Sequence, residues 1–285
     1  MRENIEADQG DSTLLSTYLE VFLQNAALAS EQDTGVLLYR GHPKRYPSLI
    51  PSVFRDGLLN EEHKLIHELL LKTPEEFSKN PVERLIKMQH YGLPTRLLDF
   101  TTNPLVALYF ACVSDENDDG EILVLYDYVE RIDAPRVVVT AALAECPVPT
   151  AKGMIGFLRD RGTFHYEPNP MTGRSPELEK VLAESFIPLA VPLNNERIKR
   201  QHGAHVLSGI CGPDQAENYQ KNNFDLKPFL LEKGKGIEIE IEISVPKDDK
   251  PELLSALDAI GINRAFLFPE LEHQARYVKE KCGEM

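Results

Sequence analysis

The stretch that constrains this chain most is Asn103-Pro104 with LVALYFAC at residues 105–112. Asparagine before proline is a strong helix start. The amide can cap free N–H groups, and proline suits the first helical position. The eight residues after the proline are apolar all the way round, so this helix has no face for water and is buried on most sides. The N–H end of such a helix favours anions or other hydrogen-bond acceptors. Just ahead of it come Gln89, His90, Thr95, Arg96, Asp99, Thr101 and Thr102, with Gly92 and Pro94 making a turn. Thr102 and Asn103 read as simple caps. For the charged residues two readings carry equal weight. Either Arg96 and Asp99 pair and lock the loop, or a rigid scaffold presents them to a ligand. His90 reads as a general base, a ribose contact or an ordinary hydrogen-bonding side chain.

The chain has 285 residues, enough for one large domain or two small ones. It is 42% hydrophobic and 27% charged, the composition of an ordinary soluble protein with a sizeable core. The formal charge of −14 argues against a broad nucleic-acid footprint but not against a local basic cleft. Lys44, Arg45 and Arg55 offer one small basic cluster near Arg40. Cys112, Cys146, Cys211 and Cys282 are far apart and form no Cys-x-x-Cys pair, so small buried thiols in a reducing compartment are expected. The polar N-terminus lacks the apolar core of a secretion signal. No stretch approaches the roughly 20 apolar residues of a membrane span. A soluble, cytoplasmic protein with no membrane partner is expected.

Periodicity predicts helices over residues 12–30, 60–72 and 80–90, with Asn60 and Asn80 as caps. Residues 35–42 predict a buried strand running into a turn at Gly41, and GEILVLYDY predicts another. Residues 135–180 predict loops and short helices. SFIPLAVPL predicts a short or edge strand because of its prolines. GIEIEIEISVP alternates strictly, with Ile237, Ile239, Ile241, Ile243 and Val245 on one face and Glu238, Glu240 and Glu242 on the other. A solvated strand face explains those glutamates better than a catalytic Glu-x-Glu pair. A helix over KPELLSALDAIG, a strand over INRAFLF and a helix from Pro269 complete the chain. The economical reading is one α/β or α+β domain with a helical N-terminal part.

LLYRGH at residues 37–42, together with QHYGLPTRLLDFTTNPLVALYFA at 89–111, strongly resembles the FRG domain family. Its name motif would be Tyr39-Arg40-Gly41. NNERIKRQHGAHVLSG at 194–209 resembles a later family block less closely. The resemblance implies residues 1–30 as an N-terminal helical segment and 31–285 as the FRG domain, with a C-terminal strand-helix-strand-helix. It also implies likeness to ADP-ribosyltransferases: an α+β domain of split mixed or antiparallel sheets flanked by helices. On that analogy Arg40 holds the phosphate or ribose of NAD, with Tyr39 and Gly41 beside it. Gln89, Arg96 and Thr101 contact the cofactor. His90, Asp99, Thr101 and Gln201 complete the catalytic set, Gln201 standing where a Glu would be expected. No metal is expected. The implied role is ADP-ribosyl transfer to a macromolecule by a bacterial toxin or phage-defence effector. The alternative is a non-catalytic module that binds a nucleotide, a nucleic acid or a protein.

Overall fold

The structure is a computed structural model that describes residues 13–31, 35–46, 48–49, 51–115, 117–147, 151–162, 186–190, 195–209, 231–232 and 239–283. Its centre is a sheet built from β1 (Val36–His42), β3 (Leu97–Thr101), β4 (Gly120–Asp127), β5 (Glu130–Arg131), β6 (Phe186–Ala190), β7 (Gly203–Ser208) and β9 (Ile239–Val245). Their order is β5-β6-β7-β3-β1-β4-β9, and only β5 and β6 run parallel. A separate two-stranded ladder joins β2 (Ser48–Leu49) to β8 (Leu231–Glu232).

Split sheets are expected from the resemblance, whereas the seven strands form one hydrogen-bonded sheet. Its halves are nonetheless barely joined. Strands β1 and β4 pair over seven positions, but β1 meets β3 at the single pair Tyr39↔Thr101. Beyond that pair the two strands fork.

Helix α4 (Pro104–Cys112) lies on one face of the sheet. Val106, Ala107, Leu108, Ala111 and Cys112 are all buried, as its lack of a polar face requires. It packs between Tyr39, Ile122, Val124, Ile243 and Val245 of the sheet and helices α1 (Leu14–Ser30) and α8 (Lys250–Ala259). On the same face of the other half, α2 (Glu62–Lys72), α3 (Pro81–His90) and α5 (Pro135–Ala142) cover Leu97, Ile187 and Leu207. Helix α6 spans Ala151–Asp160, and α7 spans Glu196–Arg200 just before β7. Leu38, Leu98, Phe100, Leu123 and Val206 form a core on the opposite face.

Gly41 lies inside β1 and is no turn residue. A Cβ there would fall 1.9 Å from the Ala107 carbonyl oxygen of α4, and one at Gly120 would fall 2.4 Å from that of Ala111. These glycines let the helix backbone rest directly on β1 and β4. Gly41→Ala should therefore destabilise the fold by about 1–3 kcal/mol through overpacking. Urea unfolding checks this, and an unchanged midpoint would show that the helix can lift freely.

Other local expectations also need correction. Residues Leu58–Glu61 form a 3₁₀ turn, so α2 starts at Glu62 and Asn60 is no cap. Leu97–Thr101 is a central strand inside the stretch read as loop and turn. INRAFLF contains a short helix, α9 (Arg264–Leu267), because the Asn263 side chain accepts from the Phe266 N–H at 2.9 Å. The last helix, α10, spans Leu271–Gly283. Strand β9 keeps the expected alternation where its side chains are described: Ile243 and Val245 are buried and Glu242 is exposed. Ile237 and Glu238 lie outside the described residues, as does Cys211. Cys112 and Cys146 are buried thiols, but Cys282 is exposed. No helix among the described residues is long and apolar enough to cross a membrane.

Candidate active site at the fork of the sheet

The alternation of β1 decides what each residue of its motif can do. Tyr39 faces the helices, is 3% exposed, and meets Phe22 edge to face at 5.9 Å. Gly41 shares that face and seats α4. Arg40 points to the other side, toward the fork. Its Nε donates to His42 Nε2 at 2.7 Å, and its Nη1 donates to the Asp99 carbonyl oxygen. Among the described residues Nη2 has no hydrogen-bond partner. The guanidinium thus enters the gap where ladder hydrogen bonds between β1 and β3 stop. It lines a cavity of about 320 Å³ with Arg55, Ser52, Gln89, Pro94 and Asp99. Burial lowers the Arg40 pKa, with Asp99 opposing and Arg55 reinforcing the shift. Guanidinium stays charged through any ordinary pH range.

Asp99 sits on β3 with its side chain 69% exposed. Gln89, near the end of α3, donates from Nε2 to Asp99 Oδ1 at 2.6 Å. The Gln89 oxygen in turn accepts from the Thr95 hydroxyl. Thr95 is fully buried and is pinned by Ser52 and by the Val53 N–H. A carboxylate at the cavity is therefore held through Gln89 by a rigid loop. His205, directly opposite Asp99 across the β3–β7 ladder, brings Nε2 within 3.5 Å of the same oxygen.

Gln89 and Asp99 also border a smaller cavity of about 80 Å³, shared with His90, Arg197, Gln201 and His205. The fold thus brings Arg40, Gln89 and Asp99 to one space and His90, Asp99 and Gln201 to its neighbour. Thr101 and Gln201 have internal tasks. The Thr101 hydroxyl donates to the Gln201 carbonyl at 2.7 Å and accepts from the Asn103 N–H at 3.0 Å. The Gln201 amide donates to the Leu267 carbonyl at 3.1 Å. Asn103 closes the N-terminus of α4 by accepting from the Leu105 N–H at 3.0 Å, so its first turn is capped from within.

Arg96 does not pair with Asp99 and does not reach the fork cavity. It is 1% exposed and grips Glu62, itself 3% exposed, through Nε at 2.9 Å and through Nη2. Nη1 donates to the Thr140 carbonyl at 3.2 Å. The reason is register: Arg96 immediately precedes β3, and its backbone carbonyl accepts from Ser208 N–H, so its side chain is drawn beneath α2 and α5.

Burial lowers the pKa of His205, with Asp99 opposing. It also lowers that of His90, where Arg197 reinforces and Glu270 opposes. With folded pKa values below the unfolded value of about 6.5, the unfolded chain binds more protons between the two. Stability therefore rises with pH there. It should be complete above about pH 6.5 and fall on acidification. Urea midpoints across this range check the slope, which His205→Asn should reduce. A flat profile would contradict the burial of these rings.

Sequence reasoning assigns no role to His42, Glu121 or His205, although His42 ends the LLYRGH motif. A buried Glu opposite a buried His becomes legible only once the β1–β4 register is known. No group of three or more His, Cys, Asp or Glu residues suited to a metal ion occurs among the described residues.

No curated protein and no solved structure matches this chain significantly. A family model does. The FRG domain model matches residues 36–120, from β1 through α2, α3, β3 and α4 to the start of β4. That span supplies Arg40, Gln89 and Asp99 to the fork, while His205 and Gln201 come from outside it. Over residues 36–120 this chain is thus similar to the FRG domain family.

Proposed function

We propose that the fork cavity is a dinucleotide site and that the protein uses NAD to transfer ADP-ribose to a macromolecule. The observation that carries this reading is the meeting of two guanidinium groups, Arg40 and Arg55, and one carboxylate, Asp99, on a single cavity. Guanidinium groups suit a pyrophosphate because their planar N–H edges match its oxygens. NAD, when bound, supplies an N-glycosidic bond whose cleavage develops positive charge on the ribose. Asp99 is the carboxylate at hand to stabilise that charge, and Gln89 holds it in place. His205 adds a second polar group beside the same oxygen. Thr101 and Gln201 act as the frame that fixes α7 and β7 against α4. The family resemblance extends the proposal to a cytoplasmic toxin or phage-defence effector.

A second reading, a non-catalytic nucleotide-binding module, is favoured by Gln201, which is neutral and whose amide is committed to Leu267. Mass spectrometry of the protein incubated with NAD and cell extract separates the two. Released nicotinamide and a mass gain of one ADP-ribose on a macromolecule are expected. Saturable NAD binding without either product would favour the binding module.

A further inference from the structure

We infer that Glu121 and His42 are positioning residues that aim the Arg40 guanidinium into the fork cavity. The ligand it meets there rests on the dinucleotide reading; the orientation itself rests on geometry alone. Arg40 and His42 are two residues apart on β1 and share a face. His42 stands directly opposite Glu121 in the β1–β4 ladder. Such cross-strand pairs bring side chains into contact.

The three form a chain. Glu121 is 0% exposed and His42 6%. Glu121 Oε1 lies 3.0 Å from His42 Nδ1 and also accepts from the Tyr46 N–H at 3.3 Å. His42 Nε2 receives the Arg40 Nε–H at 2.7 Å. An Nε–H donor requires that Nε2 be unprotonated, so the proton of a neutral ring sits on Nδ1, facing the carboxylate. Tyr46 covers the imidazole edge to face at 5.0 Å. The buried carboxylate thus selects the tautomer, and the tautomer selects the direction of the guanidinium.

A long arginine side chain at the mouth of a cavity would otherwise sample many rotamers. Here Nε and Nη1 are both committed, which leaves Nη2 as the guanidinium nitrogen without a hydrogen-bond partner among the described residues, on a side chain that lines the cavity. Ordering that chain in advance removes an entropy cost from ligand binding. A group needed only to close the fold would have no reason to leave one guanidinium nitrogen without a hydrogen-bond partner among the described residues.

Nitrogen-15 NMR of the ligand-free protein near neutral pH tests this directly. A slowly exchanging Arg40 Nε–H signal is expected, with His42 in the Nδ1–H tautomer. The signal should be lost in His42→Ala and retained in His42→Gln, whose amide oxygen can reach the place of Nε2. Titration with inorganic pyrophosphate should show roughly tenfold weaker binding for His42→Ala, the scale of one charge-assisted hydrogen bond, and near-normal binding for His42→Gln. An Arg40 Nε–H signal unchanged in His42→Ala, or an Nε2–H tautomer in the wild type, would overturn the positioning role. If the NMR result holds while Arg40→Ala binds pyrophosphate like wild type, the dinucleotide reading of the cavity is what fails.

Discussion

Arg96→Ala is expected to cost about 3–5 kcal/mol of folding stability, the usual scale for breaking a buried ion pair. The guanidinium is nearly inaccessible, and it is the partner of an equally buried Glu62. Removing it leaves a carboxylate in the core without its counter-charge and leaves the Thr140 carbonyl without its donor. The loss is larger than the pair's net worth, because the desolvation of both groups was already met when they paired. Replacing both partners with apolar residues, Arg96→Met with Glu62→Leu, should recover much of the loss. Chemical unfolding of the single and double variants measures both effects. A change below about 1 kcal/mol for Arg96→Ala would mean that the pair is open to water.

Asp99→Asn should behave in the opposite way. Its side chain is mostly exposed, so the melting temperature should barely move. The amide keeps the size of the carboxylate but removes the charge that the proposed reaction uses. NAD-dependent nicotinamide release should then fall about 100-fold or more, the scale of losing one preorganised electrostatic contact. The effect should appear in kcat with little change in KM, since the proposed contact of Arg40 with the pyrophosphate is kept. Turnover close to wild type would exclude Asp99 as the stabilising carboxylate.

These contrasting outcomes divide a motif that reads as one unit in the sequence. Thr95, Arg96 and Asp99 fall within five positions, yet Thr95 and Arg96 serve packing while Asp99 faces the cavity. A loop lock and a carboxylate on the fork cavity are both present, carried by different residues. The lock uses Glu62, 34 positions away, which no local pattern could name. Helices with strong caps are legible: Asn80-Pro81 and Asn103-Pro104 start α3 and α4 as their chemistry dictates. Strand β3 is hidden because LLDFT begins with two adjacent apolar residues that face opposite sides of a buried sheet. The glycine of Tyr39-Arg40-Gly41 reads as a turn because its purpose, close approach by a distant helix, leaves no local trace. The ligand role proposed for Arg40 enters the sequence reading only through family resemblance, and the chain through His42 that supports it needs the strand register.

A dinucleotide site at the fork is tested most directly by a calorimetric titration of NAD into wild type and Arg40→Ala, with melting curves recorded for both. One NAD per chain is predicted for wild type. Affinity should weaken at least tenfold in Arg40→Ala at similar melting temperature, as expected for losing a charged hydrogen-bonding group. Equal NAD affinity in the two proteins, or no heat of binding in wild type, would contradict a dinucleotide site at the fork of this sheet.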